Sequence, residues 1–419
     1  MSKQLIFLSL ASMMMAASLT AQTTVYVPAD YPTIQGAIHA SATGDTIVVS
    51  SGYYAENLDL QSKGLIIRSA TSAMSTYITG GGNNTLLLFD ATPIGTIIDG
   101  FTLTGGAGQP SQSSWGYDYY GGGAHASNGA IATIKNCLIL RNQVGTGTFG
   151  GGAYSGGSGT HLTLEHCVLA YNEAWASGGA TLANEFGKIT LNRCAIYGNL
   201  STDFLGDQGG IAGANDGDTW VNDCIVWGNS GNQIDAFGAP YNVGVDFYVS
   251  YSDVEGGFSG VGNINSDPQF SDVGSNYGFT LSPGSPCWDV GNPASDVDPD
   301  GSRADMGAYP LSPTSFNIAG SDLPAGGVAT ISCNNAEVGS TVYFVFSATG
   351  YGVSTYHGVS FRILAPSYLG SVSVGQTGSE AINVSLGNGI GKTFWAQAFE
   401  KNVLSGRSTI SNVISGQIQ

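Results

Sequence analysis

Between residues 120 and 230 the hydrophobic and polar positions follow one pattern written four times. Two alternating core positions come first: Ala132/Ile134, Leu162/Leu164, Ile189/Leu191 and Thr219/Val221. Two polar residues follow (Lys135-Asn136, Glu165-His166, Asn192-Arg193, Asn222-Asp223), then a cysteine: Cys137, Cys167, Cys194 or Cys224. A second apolar residue stands two positions on (Ile139, Leu169, Ile196, Val226), and an asparagine closes each copy (Asn142, Asn172, Asn199, Asn229). Each copy is opened by a glycine pair: Gly122-Gly123, Gly151-Gly152, Gly178-Gly179 and Gly209-Gly210. Alternation of period two, broken by a polar corner and then resumed, predicts two short strands joined by a tight bend. The cysteine spacings of 30, 27 and 30 residues then measure one turn of a solenoid.

Composition selects the type of solenoid. With 63 glycines in 419 residues and no long 3.6-period segment inside the repeats, helical repeats are excluded. β-Coils stacked about 4.8 Å apart place equivalent residues directly above one another. Cysteine should therefore stack on cysteine in the interior, and asparagine on asparagine at a turn, where side-chain amides satisfy backbone groups left unpaired by the bend. The predicted fold is all-β, a parallel β-helix. Stacked interior cysteines serve as small apolar filler, so free buried thiols are expected; a disulfide between neighbouring coils is the alternative that distance permits. Cys287 and Cys333 lie outside the repeat and are not expected to pair, and the lack of any CxxC argues against zinc.

The flanks complete the organisation. Lys3, the apolar run from Leu5 to Leu10 and small residues up to Ala21-Gln22 read as a secretory signal peptide over residues 1–22, cleaved near Ala21. Tyr31-Pro32-Thr33 opens a short helix with Ile34, Ala37 and Ile38 on one face, suited to capping the raw end of a solenoid. Coils continue through Leu65 to Ile67, Tyr77-Ile78 and Ile97 to Phe101, with Gly100 read in the place of the cysteine and Gly105 in that of the asparagine. After Asn229 the repeat decays towards Met306 to Tyr309, giving a β-helix over residues 23–312. Residues 313–419 change to alternating strands without the repeat, separated by Gly and Pro, which suits a β-sandwich. No later stretch approaches about 18 consecutive apolar residues, so no membrane span is expected.

Taken together, DYPTIQGAIHASATGDTIVV, IIDGFTLTGG, the Cys-x-Ile coils, NINSDPQF, LSPGSPCWDVG and DPDGSRADMGAYP resemble the secreted proteins of the pectin-lyase-like superfamily over about residues 24–310. That resemblance implies a right-handed parallel β-helix. The superfamily includes polysaccharide lyases, glycoside hydrolases and cell-surface proteins, so it names no reaction. The C-terminal segment is similar, more loosely, to modules appended to secreted bacterial proteins.

Charge narrows the partners. Acidic residues outnumber basic ones 30 to 12, a net charge of −18, which repels nucleic acid and also polyanionic sugars unless calcium bridges them. A monomer acting on a polysaccharide or cell-surface glycan is the expected state. The loops between each Asn and the next Gly-Gly should stack on one side of the solenoid. They carry Trp115, Tyr117, Tyr119, Tyr120, Trp175 and Phe204 as candidate substrate-binding aromatics, or as side chains that pack the loops onto the β-helix. Glu173, Asp203 and Asp207 are the candidate catalytic carboxylates of a glycosidase, which needs two such groups about 5 to 9 Å apart; solvated loop acids are the blander reading. A uronate lyase needs a basic proton acceptor, and Lys135, Arg141, Lys188 and Arg193 do not converge along the repeat. No cofactor is required. Asp296, Asp298 and Asp300 alternate as the oxygen ligands of a calcium loop do, yet Gly307 stands where a bidentate Glu belongs, so a hydrogen-bonded turn is favoured. His125 and His166 have no partner that spacing identifies. Glycan binding without assignable catalysis is thus the leading functional expectation, with a polysaccharide-degrading enzyme, glycoside hydrolase or uronate lyase, as the alternative.

Overall fold

The computed structural model describes residues 22–80, 84–113, 116–145, 148–202, 208–238, 241–270, 273, 279–282, 285–298 and 303–308, with ten strand segments between 317 and 417. The segment read as a signal peptide falls almost wholly outside them. Three long sheets, each entirely parallel, occupy residues 24–254. Sheet A has nine strands, from Thr24–Val27 through Ile131–Lys135, His161–Glu165, Lys188–Asn192 and Asp218–Asn222 to Phe247–Ser250. Sheet B has eight, among them Leu138–Leu140, Val168–Ala170, Ala195–Tyr197 and Ile225–Trp227; sheet C has seven, among them Ala124–Ser127, Ala153–Gly156, Thr181–Asn184 and Ile211–Ala214. Each repeat places one strand in C, the next in A and the third in B, which is the arrangement of a parallel β-solenoid.

The predicted register holds on sheet A, where Ala132, Leu162, Ile189 and Thr219 stack in line, as do Ile134, Leu164, Leu191 and Val221. These positions face inward and are buried. The polar corner turns by left-handed residues, Asn136, His166, Arg193 and Asp223, at φ of 51°, 51°, 50° and 51°. Three positions differ from the sequence reading by one residue. Asp99 pairs with Lys135 and Thr102 with Leu138, so Gly100 replaces the corner residue Asn136 and Phe101 replaces the cysteine. Likewise Gly106 replaces the asparagine, and its N–H donates to Asn142 Oδ1 at 2.9 Å. In the short third repeat Ala153 pairs with Thr181, so Gly179 aligns with the first glycine of each pair and Ala180 with the second. A Cβ on Gly151 would sit 2.6 Å from the Gly179 carbonyl oxygen and one on Gly179 2.5 Å from that of Gly209; the second position is as close at Gly123 and Gly152, both 2.6 Å from a carbonyl oxygen, yet Ala180 occupies it in the third copy.

The asparagines form a buried ladder. Each Nδ2 donates to the next Oδ1, at 3.0 Å from Asn142 to Asn172, 3.0 Å from Asn172 to Asn199 and 2.8 Å from Asn199 to Asn229. Each Oδ1 also accepts the backbone N–H of the preceding asparagine, and each Nδ2 reaches back to a carbonyl of the preceding coil, Leu103, Ile139, Leu169 or Ile196. Gln233 Oε1 ends the row by accepting from Asn229 Nδ2 at 2.7 Å. None of the six cysteines is in a disulfide, and all are buried. Burial holds the thiols of Cys137, Cys167 and Cys194 well above the ordinary range, so none is a ready nucleophile.

Past residue 258 the chain does more than decay: it folds back over the outer face of sheet B. The outward residues there, Leu138, Val168, Ala195 and Ile225, are buried with Phe279, Ala308, Cys287 and Met306. Polar clamps hold this strap to the corner residues. Arg193, on the polar corner, makes a buried ion pair with Asp298 at 3.1 Å, the two side chains 10% and 1% exposed, and also donates to the Asp296 carbonyl. Asp223 accepts from the Asn292 N–H and from the Ser295 hydroxyl.

A seven-residue helix, Ile34–Ala40, buries Ile34, Ala37 and Ile38 in the same core, with Thr33 accepting from the Gly36 N–H as N-cap. Glu56 accepts from the N–H groups of Ile34 and Gln35. Among the described residues from 317 onward every strand pairing is antiparallel, unlike the all-parallel sheets of residues 24–254.

Replacing Asn172 by Ala strands the buried Asn142 N–H and removes one hydrogen bond each from Asn142 Nδ2, the Ile139 carbonyl and Asn199 Oδ1, the last of which keeps the Asn172 N–H. At about 1–3 kcal/mol for the unsatisfied donor and about 0.5–1.5 kcal/mol for each further lost bond, the loss of stability should reach at least about 2 kcal/mol, read as a lower denaturant midpoint; a cost below 1 kcal/mol would refute the ladder's role. Asp298→Asn leaves the Arg193 charge buried and unpaired, a defect that costs about 3–5 kcal/mol, so the 258–308 segment should become cleavable under limited proteolysis at protease levels that spare the parent.

Candidate functional site

The loops after the asparagines build less of a cleft than their composition promises. Residues Gln109–Ser113 and Gly116–Tyr120 form an antiparallel hairpin whose second strand runs parallel to Thr148–Phe149. Tyr117 projects outward at 61% exposure, Tyr119 is half-buried, and Tyr120 turns onto sheet C. There it stacks on Phe149 at 5.5 Å and packs against His125 and Tyr154; Phe149 in turn meets Phe237 edge-on at 5.6 Å. This cluster covers sheet C's outer positions His125, Tyr154 and Leu182, all buried. Tyr120 therefore packs its loop onto the solenoid. Trp175 remains 38% exposed beside the short strand Glu173–Ala174. Glu173 is half-buried, and its Oε2 accepts from Gln143 Nε2 at 2.8 Å, the residue at the equivalent position one coil earlier. Trp115, Asp203, Phe204, Asp207 and Asp300 lie outside the described residues.

The Asp-rich segment has another occupation. Asp298 spends one oxygen on Arg193 and the other on the Asp305 N–H at 2.9 Å, while Asp296 contributes its carbonyl to the same guanidinium. Among the described residues no group of three or more His, Cys, Asp or Glu is placed to hold a metal ion. The four basic residues of the repeat are equally dispersed: Lys135 pairs with Asp99 at 3.5 Å, Arg141 lies over Tyr171, Lys188 over Trp220, and Arg193 is buried under the strap.

Sheet A presents a different surface. Sheets B and C bury most of their outward residues between Ala124 and Ile225, although Tyr53 at the start of sheet B is 78% exposed and stacks on Tyr77 at 4.5 Å, whereas the outward positions of A from Ile97 to Ser250 stay half-buried or exposed. Alternation puts Asp218, Trp220 and Asn222 outside because Thr219 and Val221 point in, and Tyr248 outside because Phe247 and Val249 point in. Trp220 and Tyr248 are register partners, and their rings stack with centroids 5.0 Å apart and planes 13° from parallel. Lys188 Nζ lies 5.4 Å from the Trp220 centroid, and His161, 6.4 Å from that ring, shares a 2.9 Å hydrogen bond with Thr190 Oγ1. Burial raises the Asp218 carboxyl above its ordinary range, with Lys188 pulling it down and Asp246 pushing it up. The carboxylate of Asp246, which can accept from the Tyr248 hydroxyl at 3.4 Å, also raises that phenol. The result is a flat aromatic step edged by carboxylates, hydroxyls and one ammonium. Trp220 and Tyr248 were not among the sequence candidates, although Trp220 stands between the two core positions Thr219 and Val221, where Thr133, Thr163 and Thr190 stand in the earlier coils.

His125 is the other residue that sequence spacing missed. Burial holds its imidazole down to about 4, and the same cause pushes the neighbouring Tyr120 phenol up to about 12. His166, half-buried beside Arg193, is likewise lowered to about 4.

No family model, curated protein or solved structure shows significant similarity to the chain.

The two depressed histidines give a signed pH dependence. Between their ordinary value of 6.5 and about 4 the unfolded chain takes up protons that the folded chain refuses, so their contribution to stability is full above that window and is lost as pH falls through it. Denaturant midpoints should drop from pH 7 to pH 4.5, and less steeply in His125→Phe; an identical slope in that variant would contradict the assignment.

Proposed function

We propose that this chain is a secreted right-handed parallel β-helix protein of the pectin-lyase-like superfamily, capped by the Ile34–Ala40 helix and followed by a β-sandwich, that binds polysaccharide or cell-surface glycan. One observation carries the binding reading: the in-register Trp220–Tyr248 step on the open face of sheet A. Aromatic faces give a sugar ring apolar contact area with a polar edge, and Lys188, Asp218 and Asp246 border the step with groups that hydrogen-bond hydroxyls. Tyr117 and Trp175 on the loop side add further exposed ring surface.

The catalytic alternative has less behind it. A glycosidase requires two carboxylates across one sugar bond, whereas the Glu173 carboxylate is bridged to the amide of Gln143. A lyase requires a basic group facing the substrate, and Lys135, Arg141, Lys188 and Arg193 are each engaged separately.

Affinity electrophoresis against a panel of neutral, acidic and amino polysaccharides tests the reading. Retardation by at least one glycan is expected, reduced at least about fivefold in Trp220→Ala, since loss of a stacked ring costs about 1 kcal/mol. Appearance of new reducing ends or of unsaturated, ultraviolet-absorbing products would replace binding with hydrolysis or elimination.

A further inference from the structure

The ligand class at this step can be narrowed, on the premise that the glycan reading above holds. Adjacent coils repeat one motif, Asp218-Thr219-Trp220 and Asp246-Phe247-Tyr248, in which acid and ring flank an inward residue. On one side of the stacked rings the protein supplies its own cation. Lys188, one coil earlier and register partner of Asp218, sets its ammonium against the face of Trp220. A ring face and a carboxylate together are the two groups that draw an ammonium out of water most readily. The opposite side of the stack carries the same two groups, the outer face of Tyr248 and the Asp246 carboxylate 3.4 Å from its hydroxyl. Phe247–Ser250 is the last strand of sheet A, so the sheet adds no further coil beyond it, and Tyr248 is 47% exposed.

We infer that the outer face of Tyr248 with Asp246 binds the ammonium group of an amino sugar within a polysaccharide, as the mirror image of Lys188 across the aromatic pair. Charge points the same way. Lys188 is offset by Asp218, which leaves Asp246 to meet the ligand, and the net charge of −18 attracts a polycation while repelling polyuronates.

The test titrates the full chain at about pH 6, calorimetrically, with glucosamine oligomers, their N-acetylated counterparts and oligogalacturonate. The amine form should bind at least about fivefold tighter than the acetylated form, the scale of one cation–π contact. That preference should shrink in Asp246→Asn, an exposed and isosteric change that keeps the ring, and both oligomers should weaken in Tyr248→Ala. Equal affinity for the two oligomers, with Tyr248→Ala weakening both, would overturn the amino-sugar assignment and leave glycan binding standing. Affinities unchanged in both variants would remove the site. Binding of none of the three would overturn this inference, and the glycan reading falls with it only if the electrophoretic panel also shows no retardation. Equal displacement by an oligolysine peptide would reassign the site to basic peptides and so also overturn it.

Discussion

Residues 24–254 depend on parallel strands stacked in register, one coil about 4.8 Å above the last. That constraint makes each side chain the neighbour of its own counterpart. A residue is admitted only if it can be repeated: asparagine because its amide both donates and accepts along the stack, cysteine because it fills space without a polar demand, glycine because the neighbouring carbonyl leaves no room for a Cβ. The ladder's ends show the same logic. Gly106 offers a backbone N–H at one end and Gln233 a side-chain oxygen at the other, so the row of amides is closed without a loose donor or acceptor.

The same repetition on the outside gives the three sheets three different environments. Over the middle coils sheet B carries mainly aliphatic outward residues covered by the chain's own continuation, and sheet C buries Tyr154, Leu182 and Ala212 under loops through Tyr120, Phe149 and Phe237. Sheet A carries threonine, charged and amide residues over its middle coils and remains open. An aromatic pair on an open polar face is in a different situation from the same pair under a loop. The first has ring surface left to offer, and the second has already used it for packing.

Much of the fold was legible because core positions repeat at fixed offsets from cysteine. The one-residue slips at Gly100, Gly105 and Gly178 arose where glycine was matched to glycine or to an absent cysteine; conformation and space, which sequence spacing does not carry, decide the alignment. Gly100 answers to Asn136 because both adopt positive φ, at 82° and 51°. Site residues were harder to see. Aromatics in loops look available, yet whether a ring faces solvent depends on what the sheet beneath it presents, and Tyr120 meets Tyr154 and His125 there. Trp220 was hidden by the opposite error, since a residue between two core positions reads as strand rather than as surface. Asp298 resembled a calcium ligand because the sequence does not disclose that Arg193, 105 residues away, reaches the same place.

The strap over sheet B alters how the solenoid can come apart. In a simple stack each coil touches only its neighbours, and an end can fray while the middle stands. Here Tyr171 donates to the Val273 carbonyl, Arg193 holds Asp298 and Asp223 holds Asn292, bonds that span 102, 105 and 69 residues of chain. Three successive coils are thereby tied to a single segment, and opening one of them loosens the hold on the others. A one-dimensional array acquires the all-or-none character of a globular domain, at the cost of a late step in folding, because the strap has no surface to dock on until the coils beneath it exist.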